Sequence, residues 1–548
     1  MLFAMSGAPY RGGVGAPSAS SPDETGLVAD LIAQFADRLA FYRELVQNAI
    51  DAGSVSIGVR IAWEPGTCVV AVRDVGVGMS REVIEEELLV LFRSGKEGQE
   101  DAIGKFGVGF VSVLAVDPEV VEVHTSTGDG AAHVLHLRRD QSWDLFEVDG
   151  GSSAGSTVKL RIPMAPEAYG QFVVDSDNAL ERWCCHARVP IHLTASDLEG
   201  EMLIDERIDR PLDLEGALVS VDVSDGDTQL VVGLHPDGES FAGFYNGGLM
   251  LFETTDSLVG SVMFKVQDSH LEHTLSRDNV RRDAAFARAL GRVREAVEKQ
   301  LSAVVIDALV DAASSDRHRY RALIDAVRPE VIVATVRQWR FPVLSPIRGR
   351  RAVEGSALRG LYATARGPLI DALAAKGVPV LDAEGLDDEG LDALGRLVAR
   401  AVGVRPSDAY LAFTVVLPVP LEGYDDALLS ALADLLEAVA RAPSSVHFAR
   451  LVGAAADRFC IAGGTPADPW LLESEIQDDP LRLIARPALV LNADHALVRG
   501  ARAAMEIEPE VAVAFLARAV LVQTGRLDEK TDEALTTAAL AGLLGTAE

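Results

Sequence analysis

The stretch Glu44-Leu45-Val46-Gln47-Asn48-Ala49-Ile50-Asp51-Ala52-Gly53 decides how this chain is read. Apolar residues recur on a helical spacing from Leu27 through Leu31, Phe35, Leu39 and Leu45 to Ala49, and Gly53 is a stop signal, which predicts one helix or two in series over 27–52. Glu44, Asn48 and Asp51 stand at i, i+4 and i+7 and share one face of it. A solvated helix side would satisfy that pattern equally well, so its meaning rests on the segments beyond Gly53.

Val55 to Ala62 and Thr67 to Arg73, parted by Glu64, Pro65 and Gly66, read as a hairpin. Its second strand runs directly into Asp74-Val75-Gly76-Val77-Gly78-Met79. A carboxylate at a strand end can accept from an exocyclic amine, and the two glycines let a base approach the backbone, although D-x-G-x-G is also a common turn. The third piece is Gly104-Lys105-Phe106-Gly107-Val108-Gly109-Phe110-Val111-Ser112, opening an apolar run through Ala115. Glycines ahead of a helix leave N–H groups free to cradle phosphate oxygens, and the helix dipole favours the anion. The pattern is G-x-x-G-x-G rather than the P-loop G-x-x-x-x-G-K-[ST]. In this order and at these spacings the three pieces together point to a nucleotide site.

The rest of the chain bounds the answer. At 548 residues it holds about three or four domains. A formal charge of −32 disfavours general nucleic-acid or anionic-membrane binding. The apolar and charged fractions are ordinary for a globular protein. Four cysteines without C-x-x-C spacing, and eleven scattered histidines, offer no disulfide framework and no metal site. No window is long and apolar enough to span a membrane; the run from Tyr410 to Leu421 is cut by Pro418 and Pro420. The segment 1–26 is rich in small residues and lacks a signal-peptide core, so a soluble, cytoplasmic protein is expected.

Further strand-like runs at Val120 to Thr125, His133 to Arg138 and Thr157 to Ile162 give an α+β sandwich layer ending near Pro163. A second mixed region has strand candidates at Leu218 to Val223, Leu230 to Leu234 and Met250 to Phe252, and turns helical after Arg277. Ala- and Leu-rich helical patterns, such as Asp425 to Ala442 and Glu508 to Val522, dominate the last third, whose composition reads as a helical interaction or dimerisation region.

Glu44 and Asn48, then Asp74-Val-Gly-Val-Gly-Met, then Gly104-Lys-Phe-Gly-Val-Gly-Phe resemble the three nucleotide motifs of the GHKL ATPases. Within that superfamily, Arg93-Ser94-Gly95 ahead of Ile103-Gly104 looks like the lid of the ninety-kilodalton heat-shock chaperones. Phe244 to Phe252, Val266-Gln267-Asp268-Ser269 and Leu275-Ser276-Arg277-Asp278 resemble the chaperone's middle domain, and Leu489 to Val498 its bacterial C-terminal domain. The resemblance implies an α+β fold: a GHKL (Bergerat) α/β sandwich over 27–165 after a flexible head, an α/β middle domain over 166–400, and a helix-rich C-terminal dimerisation domain over 401–548.

Carried over by position, the resemblance makes Glu44 the general base and Asn48 a Mg²⁺ ligand, with Asp51 on the same face of the site. Asp74 holds the adenine amine, Gly76 and Gly78 give it room, and Met79 packs on the base. Gly104, Lys105, Phe106, Gly107, Val108, Gly109 and Phe110 form the phosphate loop, where Lys105 reads equally as a phosphate contact or a lid salt bridge. Ser156 joins the adenine's water network, and Arg277, from the middle domain, reaches the γ-phosphate. Three positions depart from the family: Glu87 stands where an Asn near the ribose is usual, and Thr274 and Arg281 replace an Asn and a Gln flanking the arginine.

The function implied is an ATP- and Mg²⁺-dependent homodimeric chaperone-like ATPase that closes as a clamp on protein clients. The alternative is a nucleotide-switched scaffold or effector for one dedicated partner in a stress or defence pathway. A DNA clamp of the topoisomerase or mismatch-repair type conflicts with the acidic charge. A histidine kinase lacks a dimerising-helix histidine ahead of Glu44.

Overall fold

The structure is a computed structural model that describes residues 11–15, 37–89, 109–129, 131–148, 153–274, 279–327, 340–345, 351–440, 442–463, 470–473 and 487–545. Of the site residues read from the sequence, Gly104, Lys105, Phe106, Gly107, Val108 and Arg277 lie outside the described residues, as do Arg93, Ser94 and Gly95. The chain forms two compact units, 1–235 with 239–301, and 236–238 with 302–548.

The first unit is built on a nine-stranded sheet. Its strands are β1 (Arg11–Gly15), β2 (Ile57–Glu64), β3 (Thr67–Asp74), β4 (Val120–Ser126), β5 (Ala132–Arg138), β6 (Trp143–Val148), β7 (Gly155–Pro163), β8 (Ile191–Ser196) and β9 (Met202–Arg207), in the order β1-β6-β5-β4-β7-β3-β2-β8-β9. The expected hairpin is β2–β3, registered Ile57↔Asp74 to Glu64↔Thr67 and turned through Gly66 at φ +79°. Of the helix or helices expected over 27–52, residues 27–36 lie outside the described residues and Phe41–Asp51 is observed as α1. Its Phe41, Tyr42, Leu45, Val46 and Ala49 are buried in one core with Cys68, Val70 and Val72 of β3.

The sheet does not stop at Pro163. The crossover helix α2 (Pro166–Cys184) brings β8 parallel to β2, with Ile57 opposite Ile191, and β9 then pairs antiparallel with β8. A parallel neighbour needs a connection of about a dozen residues or more, so this pairing leaves no trace in local periodicity.

The unit continues with a second sheet of β10 (Val219–Asp225), β11 (Thr228–Leu234), β12 (Phe241–Asn246), β13 (Leu249–Thr254) and β14 (Met263–Gln267), in the order β10-β11-β14-β12-β13, followed by α3 (Ala284–Ala296). After β14 the segments 272–274 and 279–281 lie antiparallel to each other. His273 bridges Val280, Thr274 N–H donates to the Asn279 carbonyl at 2.8 Å, and Arg281 N–H donates to the Glu272 carbonyl at 2.8 Å. Arg281 also pairs with Glu272 through its side chain at 2.7 Å.

In the second unit the expected helices are present as Asp425–Val439 and Pro509–Gln523, accompanied by Ala496–Ala504 and Glu529–Gly545. They are joined by a five-stranded sheet that composition does not announce: Cys460–Gly463, Ala488–Asn492, Val446–Gly453, Phe413–Pro418 and Trp470–Glu473, in that spatial order. Short apolar runs rich in Ala, Val and Leu serve strand and helix alike, which is why composition alone labels this region helical. Asp425, 4% exposed, receives two hydrogen bonds from Arg502, at 2.8 and 2.6 Å. His495 caps its helix by accepting from Leu497 N–H. All four cysteines are free and buried, and burial pushes the Cys68 and Cys460 thiols up to about 12. Among the described residues no helix is long and apolar enough to cross a membrane, and no His, Cys, Asp and Glu cluster could hold a metal.

On the first sheet, Glu122 of β4 faces His136 of β5 and Lys159 of β7. A hydrogen bond from His124 and the charge of Lys159 outweigh desolvation and hold the Glu122 carboxyl down at about 2 from an ordinary 4.5. Its folded value lies below its ordinary one, so its contribution is complete above about pH 4.5 and is lost as pH falls toward 2. Glu122→Gln is expected to lower the melting temperature at pH 7 by about 2 °C. Calorimetry should show that difference shrinking below pH 4.5; a difference constant with pH would refute the assignment.

Candidate functional site

A cavity of about 220 Å³ opens between α1 and the adjoining sheet. Asn48, Asp51, Asp74, Gly78, Met79, Phe110 and Ser156 line it, together with Leu45, Ala49, Val72, Val83, Glu87, Leu88, Val123 and Val158. The lining is mostly apolar with a few polar groups, the usual composition of a small-molecule site.

Asp74 ends β3 half-buried, and its Oδ1 accepts from Gly76 N–H at 2.8 Å and from Ser156 N–H at 3.3 Å. Desolvation raises its carboxyl above the ordinary value, with the two N–H donors pulling the other way. Around it the loop is fastened to α1 and to the neighbouring strands. Val77 N–H donates to the Ala52 carbonyl at 3.0 Å, and Val75 N–H to Ser54 Oγ at 3.0 Å. Met79 N–H donates to Thr125 Oγ1 at 2.8 Å, and the Thr125 and Ser156 hydroxyls are 2.9 Å apart.

Two glycines are required here. Gly78 has φ +69°, and a Cβ on it would collide with the Ser126 carbonyl; a Cβ on Gly155, at φ +131°, would stand 2.6 Å from the Asp74 carbonyl. Gly76 is also tight against Ala52 but does not line the cavity. In the sequence Thr125 reads only as the end of a strand. Its opposition to Ser156 across β4–β7 is a register fact that a single strand cannot reveal.

The helix separates its polar residues. Asn48 lines the cavity, and its side chain has no hydrogen bond among the described residues, so the amide oxygen is available to a cation. Asp51 lines it too but accepts from Gln47 Nε2 at 2.9 Å. Glu44 is not in the lining. It is 5% exposed, and its Oε1 lies 3.1 Å from the Arg43 guanidinium in a buried ion pair. Burial lowers Arg43 to about 10 from 12.5. His273, four residues before Arg277 in the chain, is brought down to about 3, by burial first and by Arg43 second. His273, which bridges Val280, thus lies within electrostatic reach of Arg43. Gly109 and Phe110, the first described residues after the glycine-rich segment, are buried, and Ser112 Oγ donates to the Gly109 carbonyl at 2.6 Å. Glu87 is exposed at the rim.

Residues 42–144, which include Asn48, Asp74, Met79 and Phe110 of the cavity lining, match the family described as Histidine kinase-, DNA gyrase B-, and HSP90-like ATPase. The chain carries an HSP90-like domain of that kind. Among curated proteins it is similar to a "Chaperone protein HtpG" of Alkalilimnicola ehrlichii, 29% identical across 31% of this chain and 30% of the relative. It is likewise similar to the "Chaperone protein HtpG" of Rhodospirillum rubrum, 31% identical across 23% of this chain and 25% of that protein. An "Endoplasmin homolog" of Catharanthus roseus is 25% identical across 31% and 24% of the two chains. The chain thus spans less than a third of the length of these curated relatives.

The close packing makes a prediction. Gly78→Ala forces a side chain into left-handed backbone against a carbonyl, a cost of about 2–4 kcal/mol. The variant is expected to unfold at correspondingly lower denaturant, and wild-type stability would show that the loop is not held as described.

Proposed function

We propose that the chain is an ATP-dependent, homodimeric, chaperone-like ATPase that hydrolyses ATP to ADP and phosphate and couples turnover to closure on protein clients. The observation that carries this reading is the Asp74 carboxylate set among Gly76, Ser156 and Met79 at a cavity that Asn48 also lines. An acceptor held rigidly by two backbone N–H groups suits the exocyclic amine of adenine, and Met79 and Val158 offer apolar surface for the ring. Asn48 fits a hard cation through its free amide oxygen, and bound Mg²⁺ supplies charge compensation to the β- and γ-phosphate oxygens.

Glu44 acts as the base on the attacking water. A carboxylate engaged by a guanidinium is a weak base, so Glu44 works once Arg43 releases it. Arg277 supplies the positive group at the γ-phosphate; that His273, four residues earlier, feels the charge of Arg43 supports this reading. Homodimerisation through the C-terminal region accords with Phe515 and Val522, 47% and 59% exposed on one face of the helix Pro509–Gln523.

Two measurements test the reading. Glu44→Ala is expected to cut turnover by about a hundredfold or more with nucleotide affinity kept. Asp74→Asn is expected to weaken calorimetric ADP binding by about tenfold to a hundredfold. Near-normal turnover in the first, or unchanged affinity in the second, overturns the assigned role. For the dimer, Phe515→Glu combined with Val522→Glu is expected to halve the mass seen by light scattering, and a persistent dimer would place the interface elsewhere.

A further inference from the structure

A second cavity, of about 530 Å³, lies in the same unit, away from the Asp74 site. One wall is the chain from His186 to Arg188 and from Arg207 to Leu212; the other is Gln229 of β11 and Gln267 of β14. In a chain of net charge −32, this lining holds three arginines, Arg188, Arg207 and Arg210, against one carboxylate, Asp209.

The pairing of these charges is unequal. Arg207 is engaged by Asp209, with Nε 2.9 Å from both carboxylate oxygens, and Arg210 pairs with Glu181 at 3.0 Å. Arg188 is exposed and has no ion pair among the described residues. Lys265, half-buried behind His186, also has no carboxylate within ion-pair distance among the described residues. Its ammonium donates to His186 Nε2 at 2.8 Å. The imidazole is therefore an acceptor there, and its proton belongs on Nδ1, which faces the Arg210 carbonyl at 3.3 Å. Desolvation, aided by Lys265, holds His186 at about 4, consistent with a neutral ring. Asp213 and Glu215 come on the next turn but do not line the cavity.

The walls are fixed by backbone. Arg188 N–H donates to the Gly247 carbonyl at 3.3 Å, and Arg210 N–H to the Cys185 carbonyl at 2.7 Å. The His186 carbonyl lies so close to Gly248 that a Cβ there would collide with it. Gln267, 3% exposed, donates to Gln229 Oε1 and sets an amide floor. Guanidinium forks around a concave, polar floor are the arrangement that recognises phosphate groups bidentately. The volume exceeds what one carboxylate fills, and the acidic surroundings repel a long polyanion while a short one is enclosed.

We propose that this cavity binds the oligophosphate group of a small molecule, two or three phosphates long, gripped by Arg188, Arg207 and Arg210. The occupant joins the end of the first sheet to β11 and β14 of the second.

The test is calorimetric titration of the full chain with inorganic triphosphate, orthophosphate and ADP. The Asp74→Asn variant weakens the first site, and Arg499→Glu, on an exposed helix face of the second unit, controls for bulk charge. Triphosphate is expected to bind wild type and Asp74→Asn alike, at least about tenfold tighter than orthophosphate, and about tenfold weaker in Arg188→Glu and Arg188→Ala with Arg499→Glu unchanged. ADP binding to Asp74→Asn that falls about tenfold when Arg188→Glu is added names a nucleotide as the occupant, and ADP binding indifferent to Arg188→Glu, with triphosphate binding still lost, names an inorganic chain. Loss of triphosphate binding in Asp74→Asn, equal losses in Arg188→Glu and Arg499→Glu, or equally tight binding of an oligoglutamate peptide would each overturn the proposal. A melting curve confirms that each variant is folded, and Lys265→Met, which leaves the exposed rim intact, repeats the test from behind His186.

Discussion

The first unit turns on one half-buried carboxylate. Asp74 closes β3 by accepting from Gly76 in its own loop and from Ser156 across the sheet, so a strand end, a turn and a neighbouring strand share one acceptor. The turn that results is also bound to α1 through the Ala52 carbonyl and to β4 through Thr125. Helix, turn and strands around the cavity are thereby tied to the same few atoms. An apolar replacement would leave two backbone donors without their acceptor in a half-buried place, which costs more than the bonds themselves contribute. The carboxylate is raised by desolvation and steadied by the same donors, a tension common where a group is kept for chemistry rather than for stability.

How far the chain can be read in advance depends on the range of each signal. The β2–β3 hairpin, α1 and the Asp74 loop are written within about forty residues, and their spacing, stop glycine and turn chemistry appear directly in the chain. Strand β8 cannot be found that way: Ile191 meets Ile57 only because α2 crosses over, and nothing near Ile191 announces the pairing. Thr125 is hidden for a related reason, since its importance lies in facing Ser156 across a ladder. In the last third, apolar segments such as Ala488–Asn492 are too short for periodicity to tell a buried strand from a buried helix turn.

Helix α1 distributes one polar face between two environments. Asn48 is at the cavity, while one turn earlier Glu44 is enclosed in the core with Arg43. Residue spacing reveals the shared face but carries no information about depth, because depth depends on what packs against the helix. A buried ion pair is weak evidence for stability, whereas removing one partner strands the other.

His273 sharpens this arrangement by what it lacks. Its Nδ1 is buried without a hydrogen-bond partner among the described residues, while the nearby guanidinium disfavours a second positive charge. The same logic governs a second enclosed histidine, His186, which stays neutral beside Lys265 and leaves that charge unspent at the second cavity. For a protein of such acidic balance, the second cavity is a spot where positive potential is concentrated by structure rather than by composition.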